Sequence, residues 1–314
     1  MNSDKPKFDV VIICGPTGVG KTSVAIKIAK MFDGEIIGAD SMQIYKYMDI
    51  GTAKPTPDEQ ACIPHHMIDI VEPDEPFDAA KFAKMARKKI MELHQRKIMP
   101  FVVGGTGLYI KSLTQGMFRD APSDPDIRRR LKQEAALSGS AFLHERLGQY
   151  DPETAERLHP NDIFRIVRAL EVYEITGRTI SDHHREHRFA DAPFNVLKIG
   201  LHKDREMLYH RIESRVDAMI EQGLSDEVGK LFDMGYSENL KSMQSIGYRH
   251  IADFLRGRLS YDEALRTLKR DTRRYAKRQL TWFKADSEIE WRDPEETEDI
   301  LGLVSDFVKV RNEK

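Results

Sequence analysis

The sequence predicts an α/β fold, a parallel sheet flanked by helices, with an all-helical domain inserted into it. Three observations carry this. Apolar runs of strand length recur at Phe8–Cys14, Glu35–Asp40, Ile98–Val103 and Phe194–Leu201, and stretches with helical spacing separate the first three. Two of these runs open into glycine-rich turns, Gly15 to Gly20 and Gly104 to Gly107, each leading toward a helix. Between Gln115 and Phe194 strand character disappears and charged helical stretches take over. The core is therefore read as residues 1–120 and 195–314, and the insertion as residues 121–194. A chain of 314 residues suits one large α/β domain plus an inserted one.

Composition narrows the class. Apolar residues make up 40% and charged residues 32%, enough for a core beneath a well-solvated surface. No apolar run approaches the roughly 20 residues a membrane span needs, so no membrane association is expected. Met1 to Lys7 is short and polar and lacks the apolar centre of a secretion signal. Only Cys14 and Cys62 are present, outside any C-x-x-C, which predicts a reducing, cytoplasmic setting and argues against structural zinc. The net charge of -2 hides uneven placement. Arg256 to Lys284 holds ten Lys/Arg against three acids, a local balance of +7, and eight acids follow from Asp286 to Asp299. Patches rather than totals attract nucleic acid.

Taken in order, the first element is the strand Phe8–Cys14. Gly15-Pro16-Thr17-Gly18-Val19-Gly20-Lys21-Thr22 then fits G-x-x-x-x-G-K-[ST], the phosphate-binding loop, in the required strand–turn–helix context. The glycines let successive N–H groups converge on one anion at a helix N-terminus. Lys21 can reach a terminal phosphate, and the Thr22 hydroxyl is placed to ligate Mg2+. This predicts a diphosphate or triphosphate site on a P-loop NTPase-like core. Val24, Ala25, Ile28 and Ala29 mark the buried face of the following helix.

The second strand ends on Asp40, which belongs beyond the carboxyl end of the sheet beside the phosphate loop. A helix cap or metal partner and a general base fit Asp40 equally on chemistry alone. Gly51 to Pro57 reads as a turn-rich connection, and His65-His66 as the entry to another short strand. Phe82, Ala86, Ile90 and Leu93 define a helix over Ala79 to Gln95. Gly104-Gly105-Thr106-Gly107 could bring the Thr106 hydroxyl to the same crevice, or could serve only tight packing.

In the insertion, helices are read at Ile127–Leu137, Phe142–Gln149, Pro152–Leu158 and Asn161–Thr176, with Gly177 as a C-cap. His183 and His187 could share a metal if helical, but a solvated, mobile segment is the expectation. After the strand Phe194–Leu201, a helix over Met207–Gln222 sets Arg211 and Arg215 one turn apart. They suit a diphosphate, or form a surface pair with Glu213 or Asp217, which is the reading favoured without a fold. Gln244 to Arg249 is a loop or helix start. The helix Tyr261–Phe283 carries Arg266, Arg270, Arg273, Arg274, Lys277 and Arg278 with Asp271 as the local counter-charge, and Tyr275, Trp282 and Phe283 among or after them. Phosphate contacts with base stacking, or an ordinary amphipathic helix burying Leu265, Leu268 and Leu280, both fit.

These motifs form an ordered set: the phosphate loop, Asp40-Ser41-Met42-Gln43-Ile44-Tyr45, Gly51-Thr52-Ala53-Lys54-Pro55 and Gly104-Gly105-Thr106-Gly107-Leu108-Tyr109, then Asn161-Asp162 with Arg168-Ala169-Leu170-Glu171, then Ala276-Lys277-Arg278-Gln279 with Thr281-Trp282. From about Val10 to Trp282 the chain resembles the bacterial tRNA dimethylallyltransferases, also called tRNA isopentenyltransferases. The resemblance implies transfer of a dimethylallyl group from its diphosphate to N6 of the adenosine 3′-adjacent to the anticodon, with Mg2+ as cofactor.

By that resemblance Gly15 to Thr22 bind the diphosphate, Arg215 matches the family's diphosphate arginine, Thr106 its site threonine and Asp40 its general base. Asp40, Ser41, Met42, Gln43, Arg128, Phe164, Arg165, Ile166, Val167, Arg168, Gln244, Ser245, Ile246, Gly247, Tyr248, Arg249, Lys277, Arg278, Gln279, Trp282 and Lys284 would grip the tRNA anticodon stem-loop, and a monomer is expected. Two departures stand. Gly18-Val19 replaces the Ala-Ser of many members, a change the loop backbone tolerates. Some eukaryotic relatives carry a C-terminal zinc finger, whereas no Cys follows Cys62 here. Rival readings are a small-metabolite phosphotransferase, an isopentenyltransferase of free adenine nucleotides, and a non-catalytic RNA-binding module.

Overall fold

The computed structural model describes residues 8–116, 123–187 and 194–312. Met1 to Lys7, the loop residues Ala121-Pro122, and the side chains of His184 and His187 lie outside the described residues.

The chain divides into two compact units, one of Met1–Thr114 with Pro193–Lys314, the other Gln115–Ala192. The first begins with β1 (Phe8–Cys14), α1 (Lys21–Met31), β2 (Gly34–Gly38), α2 (Pro57–Cys62), β3 (His65–His66), α3 (Ala79–Gln95), β4 (Met99–Gly104) and α4 (Gly107–Gln115). The second holds α5 (Pro125–Ser138), α6 (Ser140–Tyr150), α7 (Pro152–Arg157), α8 (Ile163–Thr176) and α9 (Ile180–His187). The first unit resumes with β5 (Phe194–Leu201), α10 (Arg205–Glu221), α11 (Leu224–Asp233), α12 (Tyr248–Leu255), α13 (Tyr261–Lys284), β6 (Ile289–Arg292) and α14 (Thr297–Asn312).

The six strands form one sheet in the order β3-β2-β4-β1-β5-β6, every pairing parallel. β1 is central and pairs with β5 along its whole length, from Phe8↔Phe194 to Cys14↔Gly200. Its residues Val10 to Ile13 are fully buried, the continuous apolar run expected of a strand covered on both faces. One core gathers Val11, Ile13, Ile28, Phe101, Ile199 and Ile212. Each such side chain contributes about 1.5–3 kcal/mol by leaving water.

Several expectations shift. β2 stops at Gly38, so Asp40 lies past the strand rather than at its end. α11, β6 and α14 were not anticipated, and acids crowd the stretch Asp286 to Asp299 that surrounds β6. Those acids neutralise buried lysines. Lys198 Nζ lies 2.7 Å from both Asp286 and Glu288, and Lys203 Nζ lies 3.2 Å from Asp293 and 2.7 Å from Glu295.

The helical unit has its own core, with Leu131, Leu143, Leu147, Ile166, Val167 and Leu170. The side chains of Asp124, Asp151 and Asp162 cap α5, α7 and α8, each accepting from N–H groups of the first turn. Ile166 and Val167, assigned above to the RNA surface, are 0% and 2% exposed; their side chains hold the unit together instead of reaching a partner. The solvated segment expected around His183 is also corrected: His183 is buried, with Nε2 3.3 Å from the Thr176 hydroxyl.

Glu171 is fully buried and accepts from Arg128 at 2.8 Å, Arg168 at 2.7 Å and the Asp124 N–H at 2.9 Å. Burial alone would raise its pKa, but these three donors outweigh it and hold the carboxyl below the usual range. The resulting stability is present above the unfolded-state value of roughly 4.3 and is lost as pH falls through the lower folded value. Glu171→Gln is expected to cost about 1–3 kcal/mol near neutral pH. In urea titrations repeated at falling pH, the gap between the two proteins should close below pH of about 4.

Candidate active site

Because the strands are parallel, the segments after β1, β2 and β4 emerge on one edge of the sheet. They line a cleft of about 1030 Å³, together with α10, α13 and the loops 49–57 and 244–247.

The turn after β1 presses against β5: a Cβ on Gly15, whose φ is +143, would stand 2.6 Å from the Leu201 carbonyl oxygen. Val19 is fully buried in the core, so the Gly18-Val19 variation anchors the loop. Lys21 Nζ donates to the Pro16 carbonyl at 2.8 Å, arching over the loop. Burial, with a smaller contribution from Arg215, lowers the Lys21 pKa to about 8 against the attraction of Asp40. Thr22 lines the same cleft.

Asp40 faces the cleft from the turn after β2. Its Oδ1 accepts from the Met42 N–H at 2.8 Å and the Gln43 N–H at 3.4 Å, an Asx turn. Among the described residues both hydrogen bonds of the carboxylate fall on Oδ1, and Oδ2 keeps its acceptor capacity. One oxygen caps a turn and the other faces no described partner, so the cap and the base left open for Asp40 are geometrically compatible. Thr106 sits beside it: its hydroxyl accepts from the Ser41 N–H at 3.0 Å, and its own N–H donates to the Ala39 carbonyl at 3.1 Å.

Arg215 is half-buried in the cleft wall and donates from Nη2 to the Ala53 carbonyl at 3.5 Å. Burial lowers its pKa, and Asp40 and Glu59 oppose the shift. The surface pairing favoured for Arg211 and Arg215 does not form. Glu213 is taken by Arg273, and Asp217 by Lys269 at 2.7 Å. Both arginines line the cleft instead.

α13 differs in detail from the expectation. Glu263 and Glu213, besides Asp271, neutralise Arg266 and Arg273. Asp271 binds Arg270 at 2.9 Å and Arg249 at 2.6 Å. Lys277, Arg278 and Lys284 have no carboxylate partner among the described residues, and Trp282 is 42% exposed beside them. Gln279, grouped above with the RNA contacts, is 6% exposed and inward. Its Oε1 accepts from the Thr17 N–H at 2.8 Å and its Nε2 donates to the Gly105 carbonyl at 2.9 Å, tying the two glycine turns together. Such a strut carries no local sequence signal.

Tyr275, read only as a stacking aromatic, lines the cleft. Burial pushes its phenol well above the usual range, the Asp40 charge adds to this, and hydrogen bonds with Thr106 and Gln279 oppose it. Among the remaining assigned residues, Ser41, Met42, Gln43, Gln244, Ser245, Ile246 and Gly247 line the cleft. Tyr248 is fully buried, a packing residue rather than a surface contact. In the helical unit, Arg128 and Arg168 share Glu171, Arg165 pairs with Asp162 at 3.2 Å, and Phe164 is 74% exposed with Lys132 5.6 Å above its ring.

Among the described residues no helix is long and apolar enough to cross a membrane. The family profile described as IPP transferase matches residues 43–286. The chain is 55% identical over 301 residues to the tRNA dimethylallyltransferase of Desulfosudis oleivorans, covering 96% of each chain. It is also 55% identical over 300 residues to that of Syntrophobacter fumaroxidans, covering 96% of this chain and 87% of the relative. The crystal structure of the full-length tRNA isopentenylpyrophosphate transferase from Bacillus halodurans is similar at a TM-score of 0.74 and 40% identity, over 98% of this chain and 99% of that one. A eukaryotic dimethylallyltransferase acting on tRNA is similar at a TM-score of 0.76 and 30% identity, over 91% of this chain and 74% of that one. A profile match over most of the chain and relatives more than half identical over nearly its whole length place the chain in one family: it belongs to the IPP transferases, the tRNA dimethylallyltransferases.

Proposed function

We propose that the protein works in the cytoplasm, transferring a dimethylallyl group from dimethylallyl diphosphate to N6 of the adenosine 3′-adjacent to the anticodon in tRNA. The observation that carries this reading is the common cleft of Asp40, with one carboxylate oxygen unpartnered among the described residues, and the phosphate loop.

In this reading the diphosphate lies against Gly15 to Thr22, with Lys21 and Arg215 meeting its charge. As N6 forms its bond to the allylic carbon, the carbon–oxygen bond breaks and the electron pair leaves with the diphosphate. The proton from N6 passes to Asp40. Donors fixed before the reaction stabilise the growing charge without reorganising. The Thr106 hydroxyl holds the Ser41 backbone and thereby the Asp40 turn. The target adenine leaves its stack for roughly a few kcal/mol, less in a single-stranded loop.

The site fits Mg2+. That cation keeps several waters and needs only one or two protein oxygens besides phosphate oxygens, a requirement the Thr22 hydroxyl meets from the cleft wall. Bound there, Mg2+ would neutralise charge on the leaving diphosphate. The exposed Lys277, Arg278, Lys284 and Trp282 suit a polyanion with unstacked bases. The anticodon arm is the chemistry they fit.

Incubation with labelled dimethylallyl diphosphate and either unmodified tRNA or AMP tests the assignment. Label in tRNA alone is expected, whereas label in AMP, or ATP turnover without transfer, would overturn it. Asp40→Asn is expected to lower kcat by about 10²–10⁴-fold with tRNA affinity retained, and near-parental turnover would remove the base role. The Lys21 pKa of about 8 sets a pH signature. The charged amine binds the diphosphate, so kcat/KM should be flat below that value and fall by about tenfold per unit above it. Lys21→Arg stays charged and should abolish the fall. Neutralising Lys277, Arg278 and Lys284 should reduce the salt dependence of tRNA binding by about 0.7 slope units for each lost single-strand phosphate contact.

A further inference from the structure

Glu227, on α11, lies outside the cleft lining, yet its carboxylate holds the cleft-lining loop 49–51 and the tyrosine that follows the cleft-lining segment 244–247. Oε2 accepts from the backbone N–H groups of Asp49 at 3.0 Å and Ile50 at 2.8 Å. Oε1 accepts from the Gly51 N–H at 3.1 Å and from the Tyr248 hydroxyl. Three successive amides turned toward one carboxylate make a nest of the kind that elsewhere binds free anions. Here the chain fills it with its own side chain.

The loop held this way reaches both halves of the site. The Thr52 and Ala53 carbonyls accept from Gln43 Nε2 at 3.2 and 3.0 Å, and Gln43 belongs to the turn that Asp40 caps. The Ala53 carbonyl also accepts from Arg215. Tyr248 directly follows the cleft-lining segment 244–247, and its ring covers Gly51 so closely that a Cβ there would stand 2.4 Å away.

We propose that Glu227 is a positioning residue for prenyl transfer: by anchoring residues 49–53 it sets Arg215 on the diphosphate side at a defined spacing from the Asp40–Gln43 turn on the acceptor side. The proposal rests on the roles given above to Arg215 and Asp40. Its chemistry requires the carboxylate. Four donors occupy the four acceptor positions of the two oxygens, whereas a glutamine offers one oxygen and turns an NH2 group toward two of the donors.

The test uses the full-length protein with dimethylallyl diphosphate and unmodified tRNA, comparing Glu227→Gln, Tyr248→Phe, Arg215→Ala and the double variant Glu227→Gln/Arg215→Ala. Glu227→Gln should keep the parental circular dichroism spectrum and tRNA affinity but lose about 10–100-fold in kcat/KM for the diphosphate, mainly through KM. Tyr248→Phe, which removes one donor of four, should move KM the same way by a smaller factor. Because Glu227 acts through Arg215, the double variant should show little further loss beyond Arg215→Ala. A folded Glu227→Gln protein with parental KM and kcat, or fully multiplicative losses in the double variant, would overturn the proposal. If Glu227→Gln does not fold, an unchanged KM in Tyr248→Phe overturns it as well. A parental KM in Arg215→Ala would instead overturn the arginine's role, and with it the diphosphate arm of this proposal, whatever the Glu227 variants do.

Discussion

Parallel pairing through the whole sheet is the constraint on which the rest depends. Strands that all run one way must end at one edge, so the turns after β1, β2 and β4 are brought together with no further instruction. Each turn then delivers a different chemistry. The first supplies a glycine-rich backbone and Lys21, the second a carboxylate, and the third a hydroxyl. Their relative positions are held by few but well-made bonds, chiefly the Gln279 amide between the two glycine turns and the Thr106 hydroxyl against Ser41.

Charge in this protein is largely spent internally. Lys198 and Lys203 consume the acids around β6, Glu171 gathers two arginines, and Asp271 gathers three more. Buried ion pairs of this sort are weak evidence for net stability, since desolvation offsets much of the attraction. What they do is sort the cations. Lysines and arginines with carboxylate partners set geometry, whereas Lys277, Arg278 and Lys284 are exposed with no carboxylate partner among the described residues. A count of basic residues along α13 cannot make that distinction, because the partners come from α10 and elsewhere.

Much of the sheet was legible in the sequence, because β1, β4 and β5 are mostly apolar runs of strand length and the phosphate loop is a local motif with local geometry. The pieces that escaped have physical reasons. β6 is four residues among acids, and its burial depends on lysines some ninety positions away. The Gln279 strut and the Glu227 nest are contacts between distant segments with no periodicity of their own. Ile166 and Val167 teach the opposite lesson. Their spacing with Ile163 and Leu170 marks a buried helical face, and it outweighs the motif-based assignment of their side chains to a surface.

The discontinuity of the first unit has a consequence for biogenesis. The central strand β1 leaves the ribosome long before its longest partner, β5, which begins at Phe194. Until that segment emerges, one apolar edge of β1 has no strand to pair with, a state that invites aggregation and chaperone binding. The core of the helical unit, by contrast, draws on residues between Leu131 and Leu170 and can assemble as soon as they are synthesised. Translation therefore makes the insertion before it completes the domain that hosts it. The vectorial order of synthesis, as much as final stability, sets how long the nascent catalytic core stays exposed.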